Sequence, residues 1–157
     1  RLPVVETVGH RLRSYGAPIG AQALSVVVEH EGAEIEVIST HLQPPVGKEP
    51  TMQAADLADI VIERTWLGRP VVVGGDLNFT PNSAAWREME RAGLYDALFR
   101  VRPAPTFPAD APEQEIDHTF ATEQFVRRQA AAVPTAYSDH LPVMAVLRLE
   151  RPMVYGT

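Results

Sequence analysis

Three consecutive valines, Val71-Val72-Val73, stand between Pro70 and the pair Gly74-Gly75. A run this short, with every side chain apolar, fits a strand covered on both faces. A strand of that kind needs other layers on each side of it, and the rest of the sequence supplies them. Ala23 to His30 is apolar and β-branched, and Glu31-Gly32 offers turn chemistry. Ile35, Val37 and Ser39 then alternate with Glu34, Glu36 and Ile38, so a hairpin with a partly buried second strand is expected.

Helical spacing appears twice. Ala54, Leu57, Ala58, Val61 and Thr65 share one face of a helix expected to begin near Thr51 as N-cap and to end at Gly68 and Pro70. Asn82 or Ser83 can cap a second helix running through Ala92, with Gly93 at its end and Trp86 and Met89 as core anchors. Residues 101–115 carry four prolines and read as a surface loop. Strands are expected at Ile116–Thr122 and near Val126–Val133, and a last core strand at Leu141–Leu149, with Pro142 near its start. Residues 1–20 read as irregular, punctuated by Pro3, Gly9, Gly16, Pro18 and Gly20. Arg11, Arg13 and Tyr15 are taken there as solvated loop residues, with anion binding as the alternative. The expected architecture is one layered α/β (α+β) domain over residues 1–157.

Composition narrows the chemistry. A chain of 157 residues with 45% hydrophobic content can bury a substantial core. Its net charge of −6 gives no overall basic field for nucleic acid. The absence of cysteine removes disulfides, thiolate nucleophiles and cysteine–zinc sites. No apolar run approaches the roughly 20 residues of a membrane span. The first residue is Arg1, and nothing near it resembles a signal peptide, so the chain reads as a fragment, a processed product or an excised piece. The compartment stays open, an upstream signal or anchor included.

Polar clusters sit where expected strands end. They are Ser39-Thr40-His41, Gly74-Gly75-Asp76-Leu77-Asn78, Ile116-Asp117-His118 and Ser138-Asp139-His140. Carboxylates, a carboxamide and imidazoles without thiols favour hard-metal phosphoester chemistry. Asp76 and Asn78 are two apart and share a side if the backbone stays extended. Asp139-His140 pairs a possible metal ligand with a general base. Asp117 can orient an imidazole, and the neighbouring His118 would point to the opposite face, outside the site. Each cluster alone also fits a structural role, as an Asx turn, a surface turn, a strand-edge carboxylate or, for His41, a structural histidine. His10 and His30 receive no role.

Taken in order, Ser-Thr-His41, Gly-Gly-Asp76-Leu-Asn78-Phe, Ile-Asp117-His118 and Ser-Asp139-His140-Leu-Pro resemble the endonuclease/exonuclease/phosphatase superfamily over roughly residues 20–149. The resemblance implies a two-sheet β-sandwich flanked by helices, with the site at one end. It implies His140 as general base or water-positioning group and Asp117 as its partner. Asp139 would help bind Mg²⁺ or Mn²⁺. Asp76 and Asn78 would hold the nucleophile, a phosphate oxygen or a second cation, and His41 would hydrogen-bond the phosphate. Family members also carry an early Asn strand and a strand with a metal-binding Glu, and neither is found here. The chain therefore reads as the later part of the domain, lacking N-terminal strands that an upstream segment or second chain would supply. The expected activity is hydrolysis of a phosphoester by in-line attack of water, with a small-molecule or lipid-type substrate favoured. Alternatives are an endo- or exonuclease acting on DNA or RNA, and a non-catalytic fragment or binding module that keeps the fold.

Overall fold

The computed structural model describes residues 2–14, 21–44 and 49–150. Among them, eight strands and two helices follow the order β1 (Val4–Arg11), β2 (Gln22–His30), β3 (Ala33–Thr40), α1 (Glu49–Trp66), β4 (Val71–Asp76), α2 (Ala84–Arg91), β5 (Leu94–Asp96), β6 (Asp117–Thr122), β7 (Phe125–Ala132) and β8 (Val143–Leu149). Six strands form one sheet in the order β1-β2-β3-β4-β6-β5, and β7-β8 form a second. β4 lies inside the large sheet, parallel to β3 and antiparallel to β6.

The valine run does face two ways. Val71 and Val73 join the main core beneath the helices, with Leu57, Val61, Met89 and Phe120. Val72 packs in a second cluster with Ile35, Ala121 and Phe125, between the two sheets. The molecule is thus layered as helices, large sheet and small sheet. The helix-facing positions of α1 behave as its spacing requires, since Ala54, Leu57, Ala58 and Val61 are fully buried. Ser83 caps α2, its side chain accepting from Trp86 N at 3.1 Å, and Gly93 follows with φ +76°.

Several expectations need correction. Residues 4–11 form an edge strand paired antiparallel with β2 rather than an irregular segment. No residue of β1 is fully buried, so the alternation that marks a half-buried strand is missing from its sequence. Tyr15 lies outside the described residues, whereas Arg13 is tied to Asp56, its Nε donating to Oδ1 at 2.7 Å. Helix α1 starts at Glu49, which places Thr51 inside it rather than at its cap. β8 keeps its expected alternation, with Val143, Ala145, Leu147 and Leu149 half-buried against core clusters and Met144, Val146 and Arg148 on the outer face. Within 101–115, Ala104 and Thr106 are buried, so this loop packs back onto the protein instead of lying on its surface.

At the end of the sheet away from Asp76, Glu36 is buried and paired with Arg64 and Arg69, each at 3.2 Å. Removing one member of such a group would leave an uncompensated buried charge, so the pairing fixes this end of β3.

Candidate active site

The topology brings the polar clusters to one end of the sheet. β3 and β4 run in the same direction, so Thr40-His41 and Asp76 emerge side by side. β6 runs the other way and begins where β4 ends, which sets Asp117 directly opposite Asp76. Alternation along β6 sends Asp117 toward the small sheet and His118 toward the helices. The loop between β7 and β8 then carries His140 over this pair.

Gly75 makes the approach of β3 to β4 possible. Its φ is +148°, and a Cβ there would lie 1.9 Å from Thr40 O. Gly74 has no such demand, since its nearest neighbour would be His118 O at 3.7 Å. The double glycine therefore serves backbone packing at one position.

His140 Nδ1–H donates to Asp117 Oδ2 at 2.8 Å. Its Nε2 faces Asp76 Oδ2 at 3.9 Å, and His41 Nε2 reaches the same oxygen at 3.4 Å. Asp76 Oδ1 accepts from Asn78 N at 3.0 Å. His41 stands on the rim, its side chain 70% exposed. Burial raises the Asp76 pKa above the usual carboxylate value, aided by the facing Asp117; the Asn78 N–H and the two imidazoles act in the opposite sense. Burial works against charge on His140, but its hydrogen bond to Asp117 and the charges of Asp117, Asp76 and Asp139 outweigh it, so its pKa is raised.

Asn78 and Asp139 are placed differently from that trio. Asn78 adopts φ +50°, so the chain is not extended and Asn78 does not share a side with Asp76. Its amide donates to Leu42 O at 2.8 Å, tying the segment after β4 to the segment after β3. It lines a separate cleft of about 240 Å³ with Thr51, Phe79, Ser83 and Gln114. Asp76, Asp117, Ser138 and His140 instead line a groove of about 490 Å³ floored by Val37, Val72 and Val143. Asp139 is exposed. Its backbone carbonyl accepts from Ala109 N at 2.7 Å. Among the described residues, Asp76, Asp117 and His140 each offer one ligand atom within 4.8 Å of the others, a group that does not include Asp139.

His118 is fully buried on the helix face. Its Nε2–H donates to Phe79 O at 2.7 Å, and Nδ1 therefore accepts from Arg102 Nη2 at 3.2 Å. Burial pushes its pKa down to about 4, with the Arg102 charge adding to the effect against the Phe79 bond. Arg102 is in turn paired with Asp96 at 2.7 Å and with Glu115.

Two supporting residues carry no motif of their own. Gln53, fully buried on α1, accepts from Gln43 N at 2.8 Å and donates to Arg13 O at 3.0 Å, pinning the chain just after His41. A glutamine on an apolar helix face was the available signal. Phe107 packs on His140, and only its place in a proline-rich loop marks it.

The sequence pattern of the Endonuclease/Exonuclease/phosphatase family matches residues 1–140. The chain belongs to that family. No curated protein matches it. Among solved structures, the mannosyl-6-phosphatase Bt3783 of Bacteroides thetaiotaomicron VPI-5482 superposes with TM-score 0.84 at 18% identity, covering 94% of this chain and 67% of that one. The human Nocturnin catalytic domain with bound sulfate gives TM-score 0.79 at 20% identity, with 95% and 60% covered. An endonuclease/exonuclease/phosphatase from Beutenbergia cavernae DSM 12333 gives 0.76 at 26%, with 95% and 46% covered. The present chain thus spans about half to two thirds of the length of these neighbours. The likeness establishes the fold that the sequence motifs implied.

Proposed function

We propose that the intact protein is a divalent-cation-dependent phosphoesterase that hydrolyses its substrate by in-line attack of water. The observation that carries this reading is the His140–Asp117 bond at 2.8 Å, with the second imidazole nitrogen turned toward Asp76. With Nδ1–H committed to Asp117, the lone pair of Nε2 is free to take a proton from water. Asp117 then holds the imidazolium that results. Asp76 accepts a hydrogen bond from the water and orients it toward phosphorus. The phosphorus–oxygen bond to the leaving group breaks as the new one forms. His41, exposed on the rim, donates to a phosphoryl oxygen.

The donor set fits a hard cation such as Mg²⁺ or Mn²⁺. Asp117 and His140 are engaged with each other, so Asp76 would be the carboxylate ligand within the groove; Asn78 lines a separate cleft, and the exposed Asp139 stands outside the group of converging ligand atoms. Such a cation supplies positive charge to the phosphoryl and leaving oxygens. A small-molecule or lipid-type phosphoester is the favoured substrate. The net charge of −6 and the lack of clustered Lys/Arg with interleaved aromatics support that choice over nucleic acid.

The test is hydrolysis by the intact protein of phosphomonoesters, phospholipids, DNA and RNA, with Mg²⁺ or Mn²⁺ and with a chelator. We expect turnover that chelation abolishes. His140→Ala should lower kcat by roughly 10²–10⁴-fold with unchanged circular dichroism and melting temperature. Cleavage confined to DNA or RNA would replace the substrate assignment. Inertness on all four classes, or turnover indifferent to chelator, would overturn the reading.

A further inference from the structure

The segment Thr106–Ala109 brackets the catalytic loop. Leu141 N donates to Thr106 O at 2.8 Å, and Ala109 N donates to Asp139 O at 2.7 Å, one bond on each side of His140. Thr106 is fully buried. Its N–H donates to Gln114 O at 2.8 Å, and its hydroxyl accepts from Asp117 N at 3.4 Å. One short stretch therefore bonds the backbone of Asp117 and of the residues on either side of His140. Between its anchors, the half-buried Phe107 ring lies 4.7 Å from the His140 ring, centroid to centroid, with the planes 39° apart.

His140 needs such a contact. Ser138 and Asp139 before it are exposed, and the last side-chain torsion of a histidine is broad. A single hydrogen bond to Asp117 fixes the position of Nδ1 but leaves the ring free to swing about that point. A wall in van der Waals contact with the ring face removes this freedom. We propose that Phe107 is a positioning residue, whose ring holds the His140 imidazole in the plane where Nδ1 meets Asp117 and Nε2 faces Asp76. The backbone bonds of Thr106 and Ala109 hold Phe107 in place. The effect on rate rests on the phosphoesterase reading; the effect on the imidazole rests on geometry alone.

Both are tested in the intact protein with Phe107→Ala, Phe107→Leu and Phe107→Tyr. The first readout is the His140 Nδ1 proton, followed by NMR at fixed pH, where its bond to Asp117 shifts it far downfield and slows its exchange. The second is the division between kcat and KM. We expect Phe107→Ala to broaden that proton through exchange with water and to lower kcat about 10-fold, since small misplacements of a catalytic group are costly. KM should stay within about twofold, because the lost contact serves the transition state and not substrate binding. Phe107→Tyr should restore both signals. If Phe107→Ala fails to fold, Phe107→Leu carries the test with nearly the original volume. A sharp, unchanged Nδ1 proton in the variants would overturn the proposal, as would a raised KM with kcat intact, which would make the ring a substrate contact. Wild-type protein inert on every phosphoester would sink the phosphoesterase reading, while the proton signal would still decide the role of Phe107.

Discussion

Asp76 and Asp117 face each other across paired strands, a placement where like charges ordinarily destabilise a sheet. Here the imidazoles of His41 and His140 share the charge. In the proposed mechanism Asp117 also sets the pH at which His140 works. A protonated His140 cannot accept a proton, so kcat/KM should rise with pH through the raised pKa of its imidazole. Asp117→Asn removes the charge that outweighs burial, so the rise should move to lower pH while the plateau falls on the order of 10²-fold. A pH–rate profile of the two proteins checks the direction; an unmoved ascending limb would separate Asp117 from the titration of His140. At this scale, the motifs around Asp76, Asp117 and His140 were legible because each polar residue follows or precedes an apolar run. The turn at Asn78 was not, because Asn tolerates the left-handed region without any mark in the neighbouring residues. Phe107 and Gln53 act through contacts with residues far away in sequence, which no local pattern encodes.

Strands and helices with a buried face were the readable elements. The hairpin β2–β3, the valine strand and both helices carry their periodicity openly. β1 sits at an edge and β5 has three residues, so neither offers an alternating stretch long enough to see. The junction of β3 with β4 depends on one glycine more than on its neighbour. Gly75→Ala forces a Cβ onto the Thr40 carbonyl in a backbone conformation that costs about 1–3 kcal/mol for a non-glycine residue, before any displacement of β3. Gly74→Ala meets only ordinary contacts. Denaturant midpoints of the two variants should therefore differ sharply, with the Gly75 protein the weaker; equal midpoints would mean that β3 and β4 can separate without loss.

Across the whole molecule, the two faces of the large sheet keep two histidines in opposite states. His140, between the sheets, is biased toward its charged form, and His118, under the helices, toward its neutral one. In the unfolded chain His118 takes up its proton near 6.5, in the fold only near about 4. Its contribution is complete above the upper value and is lost as pH falls through the window between them, amounting to about 3 kcal/mol. Unfolding free energies of the wild type and His118→Gln from pH 7 to 4 should show the flatter curve for the variant. Parallel curves would place the acid sensitivity elsewhere.

That buried imidazole also comes with an optical neighbour. Trp86 meets the His118 ring edge-on at 5.3 Å, and the Arg102 guanidinium lies 5.0 Å from the Trp86 ring on a cation–π contact. The other tryptophan, Trp66, is 87% exposed at the end of α1. With Trp66→Phe, the protein keeps a single tryptophan, whose emission on selective indole excitation arises beside the group that titrates. Protonated imidazole quenches indole, so a fall in intensity without a red shift would report proton uptake in the intact fold. A red shift would report exposure of Trp86 and loss of the helix layer. The same side chain that fills the core thus lets charging and unfolding be told apart by colour and brightness in a single acid titration.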